Sequence, residues 1–254
     1  MKYFFFIFFI INIFSAPNGN PSYPAVIEEG FFIPDTLWWN FRFGYDLYNS
    51  SDLVMQFSDL NKEEGYVLRK IEANSNTANI TLNIKERIDI YTEIGPFLIE
   101  PEFRIGSLLY RTRSDVNILY RGGFKVALFE IFDFTIGTDV KYSYFTSDLS
   151  YATRNEAPIN NALTNFIFKE WQIGVGLAQK IALLRPYIGV AYKDTQIKMK
   201  NITYLSNSNL DLTFLKKAGM FLGSSLSMGS FLLLNAELRF VNERSVTVAL
   251  QIRL

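Results

Sequence analysis

The stretch SVTVALQIRL, residues 245–254, decides the fold: Val246, Val248, Leu250, Ile252 and Leu254 share one parity, while Ser245, Thr247, Ala249, Gln251 and Arg253 share the other. An extended chain points successive side chains to opposite faces, so this pattern is a strand with one apolar and one polar face. The stretch before it does the same. Leu232, Leu234, Ala236, Leu238 and Phe240 oppose Asn235, Glu237 and Arg239, and residues 241–244 join the two strands as a hairpin. Further upstream, Ile188, Val190 and Tyr192 oppose Arg185, Tyr187, Gly189 and Lys193, and Ile173, Val175 and Leu177 oppose Glu170, Gln172, Gly174 and Gly176. The run from Phe132 to Tyr144 and the run from Leu37 to Leu47 split the same way, the second with Trp39, Phe41, Phe43 and Tyr45 against Asn40, Arg42, Gly44 and Asp46. About twelve such strands are predicted, within a range of about 10 to 16.

Alternation alone suits a soluble β-sandwich as well as a membrane barrel. Several features favour the barrel. Strands of ten or more residues match what a tilted membrane strand needs, whereas about 5–6 is usual in soluble sheets. Trp39, Tyr45, Tyr144, Tyr192 and Phe240 lie near the ends of the apolar stripes, where interfacial aromatics belong. Connections at 128–131, 180–184 and 227–230 read as tight, and those at 147–162 and 200–210 as long loops rich in Asn, Ser and Thr. Charges of both signs occupy mid-strand polar positions, which suits a wet lumen better than a dry core. The fold class expected is all-β, a transmembrane antiparallel up-and-down β-barrel.

At the amino terminus, Lys2 precedes a run from Phe4 to Phe14 that is apolar except for Asn12, and then the small residues Ser15 and Ala16. That order is a signal peptide, expected over residues 1–16, and the run is too short to span a bilayer as a helix. The remaining chain divides into a periplasmic N-terminal segment, 17–35, and one barrel domain, 36–254, expected to sit in the outer membrane of a Gram-negative type envelope. Among 254 residues, 24 are Phe and 14 Tyr, so the apolar content is high without any long apolar helix to hold it.

The chain has neither Cys nor His. No disulfide framework exists, and Ser/His/Asp catalysis, Cys/His catalysis and His-ligated metals are excluded. No enzyme activity and no cofactor are expected. Asp133 and Asp139 would fall far apart along one wall, a poor geometry for paired carboxylate chemistry. With 25 basic and 25 acidic residues the chain is neutral overall, which gives nucleic acid no electrostatic reason to bind. Several glycines, Gly44, Gly123, Gly174, Gly176, Gly189 and Gly223 among them, fall on the polar parity, where small residues relieve crowding inside a curved wall.

The order of several landmarks resembles the chlamydial major outer membrane protein family. These are Gly19-Asn20-Pro21 followed by Pro24, the hairpin LNIKERIDIYTEIGP at 82–96, Glu170-Trp171-Gln172, PYIGV at 186–190 and ELRFVNER at 237–244. The resemblance spans most of the chain beyond the signal peptide. It implies a general porin of the outer membrane, assembled as a homotrimer. Members of that family are longer, rich in Cys and usually sixteen-stranded, and they end on an aromatic residue. This chain is shorter, lacks Cys and has Leu254 where the family has an aromatic residue, and the β-barrel insertion machinery is an expected partner.

With apolar stripes toward outer-membrane lipid, the pore-lining set is Arg42, Asp46, Lys85, Asp89, Arg121, Lys125, Asp133, Asp139, Lys141, Glu170, Arg185, Lys193, Glu237, Arg239 and Arg253. Basic groups exceed acidic ones in that set. The function expected is passive diffusion of small hydrophilic solutes and ions through a water-filled lumen, with weak selectivity leaning toward anions. The alternative is a structural or adhesive surface barrel whose lumen is plugged by a ladder of salt bridges. Eight strands fill their own interior and sixteen leave a channel, so strand number separates the two.

Overall fold

The computed structural model describes residues 20–21, 38–58, 65–159, 164–202, 205, 209–228 and 231–254. The expected signal peptide lies outside the described residues, as does the N-terminal segment apart from Asn20 and Pro21.

Among the described residues fourteen strands form: β1 (Trp39–Leu53), β2 (Met55–Phe57), β3 (Tyr66–Ile84), β4 (Ile88–Ile105), β5 (Leu108–Ser114), β6 (Asn117–Ile131), β7 (Phe134–Arg154), β8 (Ala157–Pro158), β9 (Asn165–Gln179), β10 (Leu184–Lys200), β11 (Asn209–Phe214), β12 (Ala218–Met228), β13 (Leu232–Phe240) and β14 (Glu243–Arg253). Ten of them close a ring in the order β1, β3, β4, β6, β7, β9, β10, β12, β13, β14, each antiparallel to the next, and β14 pairs back onto β1. Closure removes the sheet edges that lipid cannot solvate.

Ten is the low end of the expected range, and the reason is strand length. β3, β4 and β7 run 19, 18 and 21 residues, so the chain is spent on height rather than on number. The segment 147–154, expected as loop, is the continuation of β7, and residues 128–131, expected as a turn, end β6. Three ring positions are strands broken once: β1 and β2 at Val54, β5 and β6 near Asp115, β11 and β12 at residues 215–217.

One end of the ring carries tight turns at Lys85–Arg87, Phe132–Asp133 and residues 180–183, together with Trp38 and Leu254. Lys85 and Glu86 both adopt positive φ (49° and 55°), and the Asn83 side chain accepts the Glu86 N–H at 3.1 Å. At the other end the wall narrows. The β13–β14 hairpin turns at Val241 and Asn242, well below the tips of β3, β4 and β7. Above it β11 pairs directly with β2, and β2 lies beside β3, so eight strand positions carry on where ten began. Val54 bridges the step: its N–H donates to the Asn242 carbonyl at 3.0 Å, and its carbonyl accepts from the Leu215 N–H at 3.1 Å.

The outer surface of the ten-stranded half is apolar, with Phe43, Ile90, Phe124, Val175 and Ile188 all exposed. On β7 the outward row from Phe134 to Tyr144 covers roughly 33 Å of strand at about 3.3 Å per residue, or roughly 25 Å of height at the usual tilt of about 40°. Tyr45, Tyr120, Tyr142, Trp171 and Tyr192 rim its upper edge, where amphipathic rings meet headgroups. This is an outer-membrane β-barrel, set in lipid and crossing the bilayer many times. The narrowed half stands beyond the lipid, and its outer face is charged: Glu102 pairs with Arg111 at 2.8 Å, Arg113 with Glu100 at 3.4 Å, and Lys70 with Glu72, which raises the Lys70 ammonium above its ordinary range.

A sealed lumen with an ion-paired chamber

Inside the ten-stranded half, alternation turns the polar parity of every strand inward. Thirteen of the fifteen expected lining residues point into the barrel and are buried. Lys85 and Asp133 do not; they sit in exposed turns at the rim, because the strands stop one residue short of each. Asp133 therefore faces solvent while Asp139 is buried within the wall.

Two networks fill the chamber. On one wall Lys193 lies 3.2 Å from Glu170 and 2.9 Å from Glu243, and Lys141 approaches Glu170 at 3.8 Å. Arg239 joins Glu237 at 2.7 Å, Glu243 at 3.4 Å and the Gln172 carbonyl oxygen at 2.8 Å. Gln172 in turn donates to Asp139 at 3.4 Å. On the facing wall Arg42 pairs with Asp89 at 3.1 Å, Asn83 donates to Asp89 at 2.6 Å, Arg121 pairs with Glu93, and Asn79 donates to Asp46 at 2.8 Å. Lys125 rides over the Tyr91 ring at 5.5 Å, and Arg253 reaches the rim residue Glu86 at 3.3 Å. Charges taken out of water are tolerated only with close partners, and these have them.

Glu93 and Glu243 are central to the networks and were absent from the expected set. Both were within reach of the sequence: Asp89 and Tyr91 fix the parity of Glu93, and Ser245 and Thr247 carry the inward parity back to Glu243, which opens β14 instead of belonging to the turn. With these two included and the two turn residues removed, the described buried charges are eight basic and seven acidic. The anion-favouring excess drawn from the sequence shrinks to one.

Between the networks is a cavity of about 20 Å³, bordered by Asp46, Asn79, Tyr91, Lys125, Asn235 and Gln251. That is room for about one water, and Asn235 Nδ2 and Gln251 Oε1, buried without a protein partner, supply polar contacts for it.

Above the chamber the inward parity changes character. Phe97 meets Phe145 edge-on at 4.8 Å and Phe168 at 5.2 Å; Phe57 meets Phe103 at 5.7 Å, and Phe103 stacks on Tyr110 at 5.4 Å. Ile71, Ile99, Phe166, Ile197, Met199 and Leu212 complete a core that water does not reach. Among the described residues the inward side chains thus form an ion-paired chamber under an apolar core.

No family model matches the chain, and no curated protein does. Among solved structures, the outer membrane protease OmpT from Escherichia coli has a TM-score of 0.42 at 11% identity, covering 86% of this chain and 99% of its own. The translocator domain of the autotransporter NalP from Neisseria meningitidis has a TM-score of 0.43 at 10% identity over 84% and 88%. The outer membrane protein OprG from Pseudomonas aeruginosa has 0.36 at 9% over 85% and 96%. At these values the fold assignment rests on the strand pairing and the apolar belt described above.

Proposed function

We propose that the protein is a closed barrel of the outer membrane, a structural element that anchors and presents its charged, narrowed half at the cell surface. One observation carries this reading: the lumen is filled twice over, by paired charges within the membrane and by packed aromatic rings beyond it. A ten-stranded ring lies close to the size that side chains can fill.

A second reading is a small-solute porin of the chlamydial major outer membrane protein kind, delivered by the barrel insertion machinery and assembled as a homotrimer. The buried charges of both signs and the polar cavity favour it, since such a chamber offers ions a path once the apolar core moves aside.

Conductance of the folded chain in a planar bilayer under asymmetric salt separates the two. A silent membrane, with insertion verified by heat-shifted mobility on a gel, supports the closed barrel. Discrete ohmic steps overturn it in favour of the porin, and their reversal potential then reports which ion is preferred.

A further inference from the structure

Six inward glycines of this wall are each covered by a side chain. Gly44 lies under Gln251, Gly123 under Tyr91, Gly174 under Asp139, Gly189 under Phe221, Gly219 under Asn242 and Gly223 under Tyr187, and in every case an added Cβ would come within 2.7 Å of that cover. All six covers belong to the barrel strands or their turns. Gly176 is different. Its cover is Pro21, whose Cγ and Cδ lie 2.9 and 3.1 Å from where the Cβ would stand, with the Ile188 carbonyl next at 3.5 Å.

The register deepens the point, because Gly176 sits directly opposite Gly137 on β7 and opposite Gly189 on β10. Three glycines abreast make a recess in the lumen wall near the turn end. Beside it, the Asn20 amide donates to Ser225 Oγ at 3.4 Å, and Ser225 donates to Asn235 Oδ1 at 2.8 Å. The Tyr187 hydroxyl joins the same Asn235 oxygen at 3.2 Å. Asn20 and Pro21 are buried although neither belongs to a strand.

We propose that the recess at Gly176 is a docking slot for Asn20 and Pro21 of the chain itself, with Pro21 as the inserted ring and Asn20 as the latch on Ser225. The wall leaves residue 176 without a side chain so that a residue from outside the barrel can take its place. These two residues then cover the polar chamber at the turn end, opposite the apolar core.

The absence of native Cys makes the test direct. In the full chain, produced in a Gram-negative host and purified folded in detergent, Asn20→Cys is expected to react with a maleimide about tenfold more slowly than in the denatured chain. The double variant Asn20→Cys/Ser225→Cys is expected to form an intrachain disulfide on mild oxidation, and Asn20→Cys/Thr81→Cys, across the ring on β3, is not. Gly176→Val meets Pro21 before any wall atom, so adding it to Asn20→Cys is expected to restore fast labelling while the barrel keeps its heat-shifted gel mobility. Fast labelling of Asn20→Cys in the otherwise unaltered folded barrel overturns the proposal. So does slow labelling that persists in folded Gly176→Val, or equal cross-linking to Ser225 and Thr81. If Gly176→Val does not fold, the cross-linking pair alone decides.

Discussion

The two halves of this barrel share strands but invert their polarity. Within the membrane the outer face is apolar and the inner face charged; beyond it the outer face is charged and the inner face apolar. Neither β4 nor β10 slips in its alternation to achieve this. On β4 the apolar residues are Ile88, Ile90 and Ile94, then Phe97, Ile99 and Phe103; on β10 they are Ile188, Val190 and Tyr192, then Ile197 and Met199. Strands that continue beyond the lipid, as β4 and β10 do, change which parity is apolar as they leave it. Solvent, not strand geometry, sets the difference: lipid outside allows charges within if they pair, whereas water outside requires a conventional core.

The comparison can be broken most severely at the hub of the charged half. Lys193→Met leaves Glu170 and Glu243 buried without their shared ammonium, and a loss of about 3–5 kcal/mol is expected from denaturant unfolding in lipid vesicles. A smaller loss in Glu170→Gln/Lys193→Met than in Lys193→Met would locate the cost in the stranded charge.

In the apolar half, Phe145→Ala opens a hole against Phe97 in a position with no exposed surface and is expected to cost about 3–4 kcal/mol. Unlike the Lys193 variant, it is expected to respond little to ionic strength. If both variants showed the same salt dependence, the two halves would not differ as described. At the junction, Val241 holds φ at 87°, a conformation that a β-branched residue resists. Val241→Asn is expected to raise the unfolding free energy by about 1 kcal/mol, because Asn tolerates the left-handed region. The smallest effect belongs to the outer face of the narrowed half, where Arg113→Ala removes a half-exposed pair with Glu100 and is expected to change stability by less than about 1 kcal/mol. A larger change would mark that face as more than a solvated surface.

Much of this was legible in residues 232–254 alone, where the hairpin and both of its faces read directly from parity. The inward charges followed, since a single buried face fixes the register of a whole strand. The apolar core beyond the membrane was written just as openly in Phe97, Phe145, Phe166 and Met199, but these residues fall outside the strands and loops drawn from the sequence. A search for one apolar parity per strand overlooks a strand that changes sides. Which charges pair was not legible, because Lys193 meets Glu243 across 50 residues and β13, β12 and β10 must all close before they touch. Nor was the placement of Pro21, which depends on a recess assembled from three separate strands.

The short β13–β14 hairpin has one more consequence. Because β11 pairs with β2 above it, the upper collar is fastened independently of the hairpin, which fills the gap between β12 and β1 like a wedge driven from below. Withdrawing the wedge would not unroll the cylinder; it would open a vertical seam at membrane height, with Arg239, Glu243 and Gln251 lost from the wall and Lys193 left without Glu243.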